Sequence, residues 1–218
     1  MSDFRILNTE QLLKELDKYK FKQLHIHHTW KPENKDFKGN NHIAMQQGMY
    51  NYHTKNLGWQ NIGQHVTLFP DGKWVTGRPF NITPASIKGW NTGAFAVEMV
   101  GNFDIGNDKL KGNQLNSILQ LMKYFINKYG ENSIKFHREG PGVTKTCPGT
   151  SLNKANMIKR AKNLEVGKVA DIKGDNTPST WAKESWEWAK KEGITDGSNP
   201  KGTATREEVV AMIHRAVK

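Results

Sequence analysis

A single cysteine in 218 residues excludes intrachain disulfides, because a bridge needs two. The chain also lacks any uncharged apolar run long enough to cross a bilayer, so no membrane span is expected. Its first residues, Met1-Ser2-Asp3-Phe4-Arg5, show no basic stretch followed by an apolar one, and no signal peptide is expected. Acidic residues are outnumbered: 21 Asp and Glu stand against 32 Lys and Arg, a formal net charge of +11. Aromatics are not scarce. Seven Trp and nine Phe supply core material to a chain that is only 36% hydrophobic, which separates it from disordered compositions. The length leaves room for one mid-sized domain and a small one.

The positive charge is unevenly spread. Residues 175–218 hold seven Lys/Arg and seven Asp/Glu, so the whole +11 resides in residues 1–174. A basic body favours a polyanionic partner: nucleic acid, anionic lipid or an anionic cell-wall polymer. No basic-aromatic repeat or nucleic-acid-binding motif accompanies the charge, so neither a nucleic acid nor a membrane is the expected partner.

Apolar spacing predicts helices over 9–19, 42–57 and 113–129, the last carrying Leu115, Ile118, Leu119, Met122, Phe125, Ile126 and Tyr129 on one stripe, and a short helix over 151–162. Met45, Met49, Tyr50 and Tyr52 in the second helix read as core packing. Strands are expected over 21–29, 94–100 and 133–137, and a hairpin over 61–80 turns at Pro70-Asp71-Gly72. With a period of two, Leu24, Ile26 and His28 share one strand face, and His25 and His27 the other. Glu98 sits inside a buried-looking strand, where a carboxylate needs a partner or a purpose. The alternation predicts an α/β domain with a mixed central sheet flanked by helices.

Residues 136–149 hold the only cysteine, Cys147, with His137 ten residues before it and Lys145 two before it. Prolines and glycines make this stretch a loop. A lone cysteine is commonly a small buried hydrophobe. A thiolate and an imidazole on one loop are also the ligand set that favours zinc, and a third ligand is at hand in His25-Ile26-His27-His28.

The ordered set Ile26-His27-His28-Thr29, Gly58-Trp59-Gln60-Asn61-Ile62-Gly63-Gln64-His65, Pro70-Asp71-Gly72, Gly77-Arg78, Lys88-Gly89-Trp90-Asn91, Val97-Glu98-Met99-Val100-Gly101 and His137…Lys145-Thr146-Cys147-Pro148 resembles the type 2 N-acetylmuramoyl-L-alanine amidases, a family that includes phage endolysins and peptidoglycan recognition proteins. The resemblance spans roughly residues 20–162. It implies Zn2+ held by His27, His137 and Cys147, with Glu98 handling the catalytic water and Lys145 stabilising an oxyanion. It further implies hydrolysis of the amide joining N-acetylmuramic acid to L-alanine in peptidoglycan. Many members carry a tyrosine where this chain has Gln64, which can donate a hydrogen bond but cannot act as an acid. Trp30, Trp59 and Trp90 lie near the motifs. Trp30, Trp90 and Gln64 are the candidate substrate contacts, and each tryptophan can equally be a packing residue.

From Val166 the composition turns to Gly, Lys, Asp, Asn and Thr, which predicts a linker over 166–178 between a catalytic domain, 1–165, and a small helical module, 179–218. Helices are expected over 181–192 and 206–217. The module resembles S-layer-homology modules, which bind secondary cell-wall polymers, with Arg206 and Thr195-Asp196-Gly197 as the positions of interest. Such modules usually come in threes and this chain has one, so self-association into a homo-oligomer stands beside polymer binding. The expected protein is a phage or prophage endolysin, made in the host cytoplasm and acting on the bacterial wall after release. The alternatives are a bacterial autolysin and a non-catalytic peptidoglycan-binding protein.

Overall fold

The computed structural model describes residues 3–164, 178–195 and 206–217. The chain divides into two compact units, Met1–Leu164 and Glu165–Lys218.

The first unit is built on a six-stranded mixed sheet in the order β1-β4-β3-β5-β2-β6. Strand β1 (Ile6–Leu7) is a short edge strand that the sequence pattern does not announce. Helix α1 (Thr9–Leu16) comes next, opened by a reciprocal cap. Asn8 accepts from the Gln11 N–H, and the Gln11 side chain accepts from the Asn8 N–H, each at 2.8 Å. Strand β2 (Gln23–His28) lies between two parallel neighbours, β5 (Ala94–Met99) and β6 (Ile134–Phe136). The hairpin β3 (Val66–Leu68) and β4 (Trp74–Thr76) is antiparallel, as its Pro-Asp-Gly turn requires, and β3 adds in parallel to the other side of β5.

The two sheet faces differ in chemistry. Leu24, Ile26, Val66, Leu68, Phe95, Val97, Ile134 and Phe136 belong to one buried core cluster, together with residues of α1, α3 (Gly112–Tyr129) and α4 (Lys154–Lys162). Ile118, Leu119, Met122 and Phe125 of the predicted α3 stripe are fully enclosed, and Leu115, Ile126 and Tyr129 pack at its margin. Alternation sends His25, His27, Ala96 and Glu98 to the opposite face.

The second helix departs from expectation. Helix α2 (His42–Asn51) does not run on to Leu57; a π-helical turn, Tyr52–Asn56, takes over, and the Leu57 N–H reaches the Tyr52 carbonyl. The Thr54 hydroxyl donates to the Tyr50 carbonyl at 2.8 Å, a side-chain bond that competes with the backbone ladder. The wider turn rotates the side chains at the end of the helix away from the phase of α2. Met45 and Met49 pack beside Phe69, Val75 and Val100, as expected of core residues, whereas Tyr52 is 55% exposed and does not belong to the core.

In the second unit a 3-10 turn, Thr180–Ala182, leads into α5 (Lys183–Lys191), so the helix starts later than the predicted Trp181. Helix α6 spans Arg206–Ala216, and Arg215 donates to the Ile194 carbonyl at 2.8 Å. The expected linker up to residue 177, and Asp196 and Gly197 of the loop of interest, lie outside the described residues.

The hairpin is tied to two helices by a buried relay. The Trp74 indole donates to the Thr9 hydroxyl at 3.0 Å, that hydroxyl lies 3.1 Å from Ser117 Oγ, and Ser117 donates to the Gly72 carbonyl at 2.8 Å. Gly72 has φ +85°, and a Cβ there would stand 2.9 Å from both Asn113 Cβ and Ser117 Oγ. G72A is therefore expected to destabilise the protein by about 1–3 kcal/mol, read from denaturant unfolding. An unchanged midpoint would contradict this account of the turn.

Candidate active site

Three parallel strands end at the same edge of the sheet, and each delivers one functional group. Strand β2 carries His27. Strand β5 carries Glu98, in register with His27. Strand β6 ends at Phe136, opposite Ile26, so His137 emerges level with His27 and opens a 3-10 turn, His137–Glu139. The two imidazole centroids lie 4.5 Å apart. Cys147 Sγ comes within 3.6 Å of His27 Nδ1 and accepts from the His28 backbone N–H at 3.4 Å.

Cys147 is held by residues that sequence reasoning passed over. The Arg138 backbone N–H donates to the Cys147 carbonyl at 2.8 Å, and its guanidinium donates to the carbonyls of Gly149, at 2.7 Å, and Leu152. Asp104 holds the same loop from the other side, accepting from the Thr146 hydroxyl at 3.0 Å and the Thr150 N–H at 2.9 Å. The one signal for Arg138 was its place beside His137; nothing local marked Asp104.

The donor atoms of His27, His137 and Cys147 all lie within 4.8 Å of one another, and among the described residues this is the one His/Cys/Asp/Glu group so arranged. Zinc bond lengths of about 2.0 Å to nitrogen and about 2.3 Å to sulfur, at the tetrahedral angle, set donors roughly 3.5 Å apart. The observed 3.6 Å between Nδ1 and Sγ matches. Burial, and then neighbouring charge, pushes the pKa of both His27 and His137 down, so each offers a lone pair at neutral pH. Burial, and then the Glu98 carboxylate, pushes the Cys147 thiol up, so metal binding would have to displace its proton. The residues present fit a zinc ion.

These groups face a groove of about 760 Å3 lined also by Thr29, Trp30, Tyr52, His53, Trp59, Gln64 and Ser86. Glu98 is half-buried on its floor. Burial raises its carboxyl to about 8, and the Lys145 ammonium opposes that shift. Lys145 is exposed on the groove wall, and its charge also bears on His27, His137 and Cys147. Trp30 stands at the rim, 55% exposed and with φ +57°, a conformation few non-glycine residues adopt. Gln64 is buried. Its Nε2 donates to the Thr67 hydroxyl at 2.9 Å, and its enclosed Oε1 has no partner. Trp90 does not line the groove; it lies under Lys135, whose ammonium is 5.1 Å from the ring centroid. His28 also lines the groove, and its Nδ1 accepts from the Phe103 N–H at 3.1 Å. Among the aromatic residues of the groove, sequence reasoning missed His53, which stacks on Trp59 at 4.8 Å.

Fold and donor set together define an α/β domain in which a His-His-Cys group that could hold a metal stands beside a half-buried carboxylate. The comparisons narrow this. Residues 17–150 match the N-acetylmuramoyl-L-alanine amidase family, and the chain belongs to that family. Peptidoglycan-recognition protein SC1a of Drosophila melanogaster is 32% identical over 113 residues, 50% of this chain and 58% of the relative; the chain thus spans a little over half the length of that curated relative. Among solved structures, the N-acetylmuramoyl-L-alanine amidase LysC from Clostridium intestinale is 27% identical, with a TM-score of 0.51 over 66% of this chain and 86% of its own. The Ph2119 endolysin of a Thermus scotoductus bacteriophage shares the fold, at 21% identity and a TM-score of 0.52 over 66% of this chain and 86% of its own.

The raised Glu98 value has a consequence for stability. With an unfolded value of about 4.3 and a folded value of about 8, the folded protein binds more protons than the unfolded one between these limits. Stability contributed by the neutral carboxyl is therefore full below about pH 4 and is lost as pH rises towards 8. Metal-free E98Q should lose less unfolding free energy than the wild type between pH 5 and pH 8. Equal slopes in denaturant titrations would refute the assignment.

Proposed function

We propose that this chain is a zinc-dependent N-acetylmuramoyl-L-alanine amidase of the endolysin type. The observation that carries the proposal is the juxtaposition of the His27–His137–Cys147 donor set with Glu98 on the floor of an open groove. Membership of the family supports it, as does the likeness to amidases from Clostridium intestinale, one of them described as an endolysin.

A zinc ion held by His27, His137 and Cys147 would polarise the scissile carbonyl and lower the pKa of a water molecule. Glu98 takes a proton from the attacking water and returns it to the leaving alanine nitrogen as the C–N bond breaks. In the metal-free protein burial raises this carboxyl, and the Lys145 ammonium opposes the shift. Lys145 brings a positive charge to the oxyanion of the tetrahedral intermediate. Gln64 lines the groove, but its Oε1 is enclosed, so it would meet a substrate N–H only after a change of side-chain rotamer. Trp30 and Trp59, both exposed on the groove wall, offer aromatic faces to sugar or peptide.

Purified bacterial walls incubated with the protein should release new alanine amino groups and no reducing sugar ends. H27A and C147S should each lower this rate by at least about 100-fold and reduce bound zinc. Release of reducing ends, or full activity of either variant, would defeat the proposal. A protein that binds walls and zinc yet releases nothing would instead favour a recognition role, a reading supported by the matches to peptidoglycan-recognition proteins.

For the second unit we propose wall targeting, through an anionic wall polymer or through association with a second copy. Val209, Val210 and Ile213 on α6 are exposed apolar residues, which suits association with a second copy. Removal of residues 165–218 should weaken co-sedimentation with intact walls while leaving hydrolysis of small soluble muramyl peptides in place. Undiminished wall binding would count against the targeting role.

A further inference from the structure

His25 is fully buried on the groove side of β2, where the proposed mechanism has no use for it. Desolvation makes a histidine a poor core residue, and this one keeps a polar atom, Nε2, without a partner. Its other nitrogen lies 3.0 Å from Ser86 Oγ. The same hydroxyl lies 2.6 Å from Nε2 of His27. Ser86 thus bridges two histidines that stand two residues apart on one strand face. The hydroxyl is rigidly presented, because Asn91 Oδ1 accepts from the backbone N–H groups of both Ser86 and Ile87, at 3.1 and 2.9 Å.

Proton counting gives the direction of these bonds. His27 turns Nδ1 towards Cys147 Sγ. To serve as a ligand, Nδ1 must be a lone pair, so Nε2 carries the proton and donates to Ser86 Oγ. Ser86 then has one hydrogen left, and the nearest acceptor is His25 Nδ1. His25, neutral in its buried setting, bears its own proton on Nε2.

We propose that Ser86 and His25 are positioning residues for the metal ligand His27. Ser86 accepts from Nε2–H of His27 and so holds the imidazole in the tautomer and orientation that points Nδ1 at the donor cluster. His25 accepts from the Ser86 hydroxyl and keeps its lone pair turned to His27. Without His25 the hydroxyl is free to rotate; without Ser86 the ring of His27 has no partner at Nε2 and either tautomer is available to it. The proposal rests on the reading of His27 as a zinc ligand and deepens it.

Two measurements on the full-length, metal-free protein test it. The first is the tautomer of His27, read from two-bond 15N–1H correlations of the ring. The wild type should show a single Nε2–H form and S86A a mixture. The second is zinc affinity, read by competition with a chromophoric chelator. S86A should bind zinc about 10- to 100-fold more weakly, whereas S86T, which keeps the hydroxyl, should stay close to wild type. H25V should fall between S86A and wild type, and S86A/H25V should be no weaker than S86A alone, since the two act through one bond. Thermal melts identify any variant that loses its fold. Zinc binding by S86A within twofold of wild type, or an unchanged His27 tautomer, overturns the proposal. H25V at wild-type affinity, or additive losses in the double variant, removes His25 from it. Absence of zinc binding by the wild type would instead refute the metal reading, while the ring spectrum would still report the Ser86 bond.

Discussion

The site depends on one constraint: β2 is paired in parallel on both sides. Parallel strands need crossover connections, and the hairpin, α2 and α3 occupy those connections. Because all three strands run the same way, their C-terminal ends coincide, and the register brings His27 beside Glu98 and carries the chain from Phe136 straight into His137. A shift of one residue in β2 would turn His25 and His27 into the hydrophobic core and Leu24 and Ile26 towards the groove. The apolar face therefore enforces the geometry of the polar one.

That polar face is costly to bury. His25, His27, Gln64 and Glu98 sit at or below the groove floor, and burial pushes the histidines towards their neutral forms and the glutamate towards its acid form. Hydrogen bonds answer part of the cost: Thr67 for Gln64, Ser86 for the two histidines. What stays unanswered is Gln64 Oε1, on a groove-lining residue, and His25 Nε2, on the strand face that also carries His27. Among the described residues of the first unit, Asn34 Oδ1 and Gln46 Oε1 are the other two such atoms.

Much of this was legible in the sequence. The α3 stripe, the Pro-Asp-Gly hairpin and the period-two pattern of β2 are local signals with local causes, and the structure obeys them. Cys147, His137 and His27 could be singled out because a thiol and imidazoles in a turn-rich loop and at a strand end are the donor types a metal favours, and the structure brings their donor atoms within 4.8 Å of one another. Less legible were features made by tertiary contact. The π-helical turn at Tyr52–Asn56 leaves no periodic trace, and Asp104 looks like an ordinary loop acid until its partners at Thr146 and Thr150 are known. Trp90 failed as a groove contact for a related reason: proximity in sequence to a motif does not say which side of a loop faces the substrate.

The clamp formed by Arg138 and Asp104 separates two jobs within one loop. Its grips fall on Thr146, Cys147, Gly149, Thr150 and Leu152, downstream of the exposed segment from Pro141 to Lys145. Gly142 in that segment has open space around it. The grips on Cys147 therefore lie outside the stretch between Gly140 and Lys145. Such a segment gives evolution, or an engineer, a groove wall that can be rebuilt between Gly140 and Lys145 while Cys147 keeps its place, provided Lys145 itself is retained.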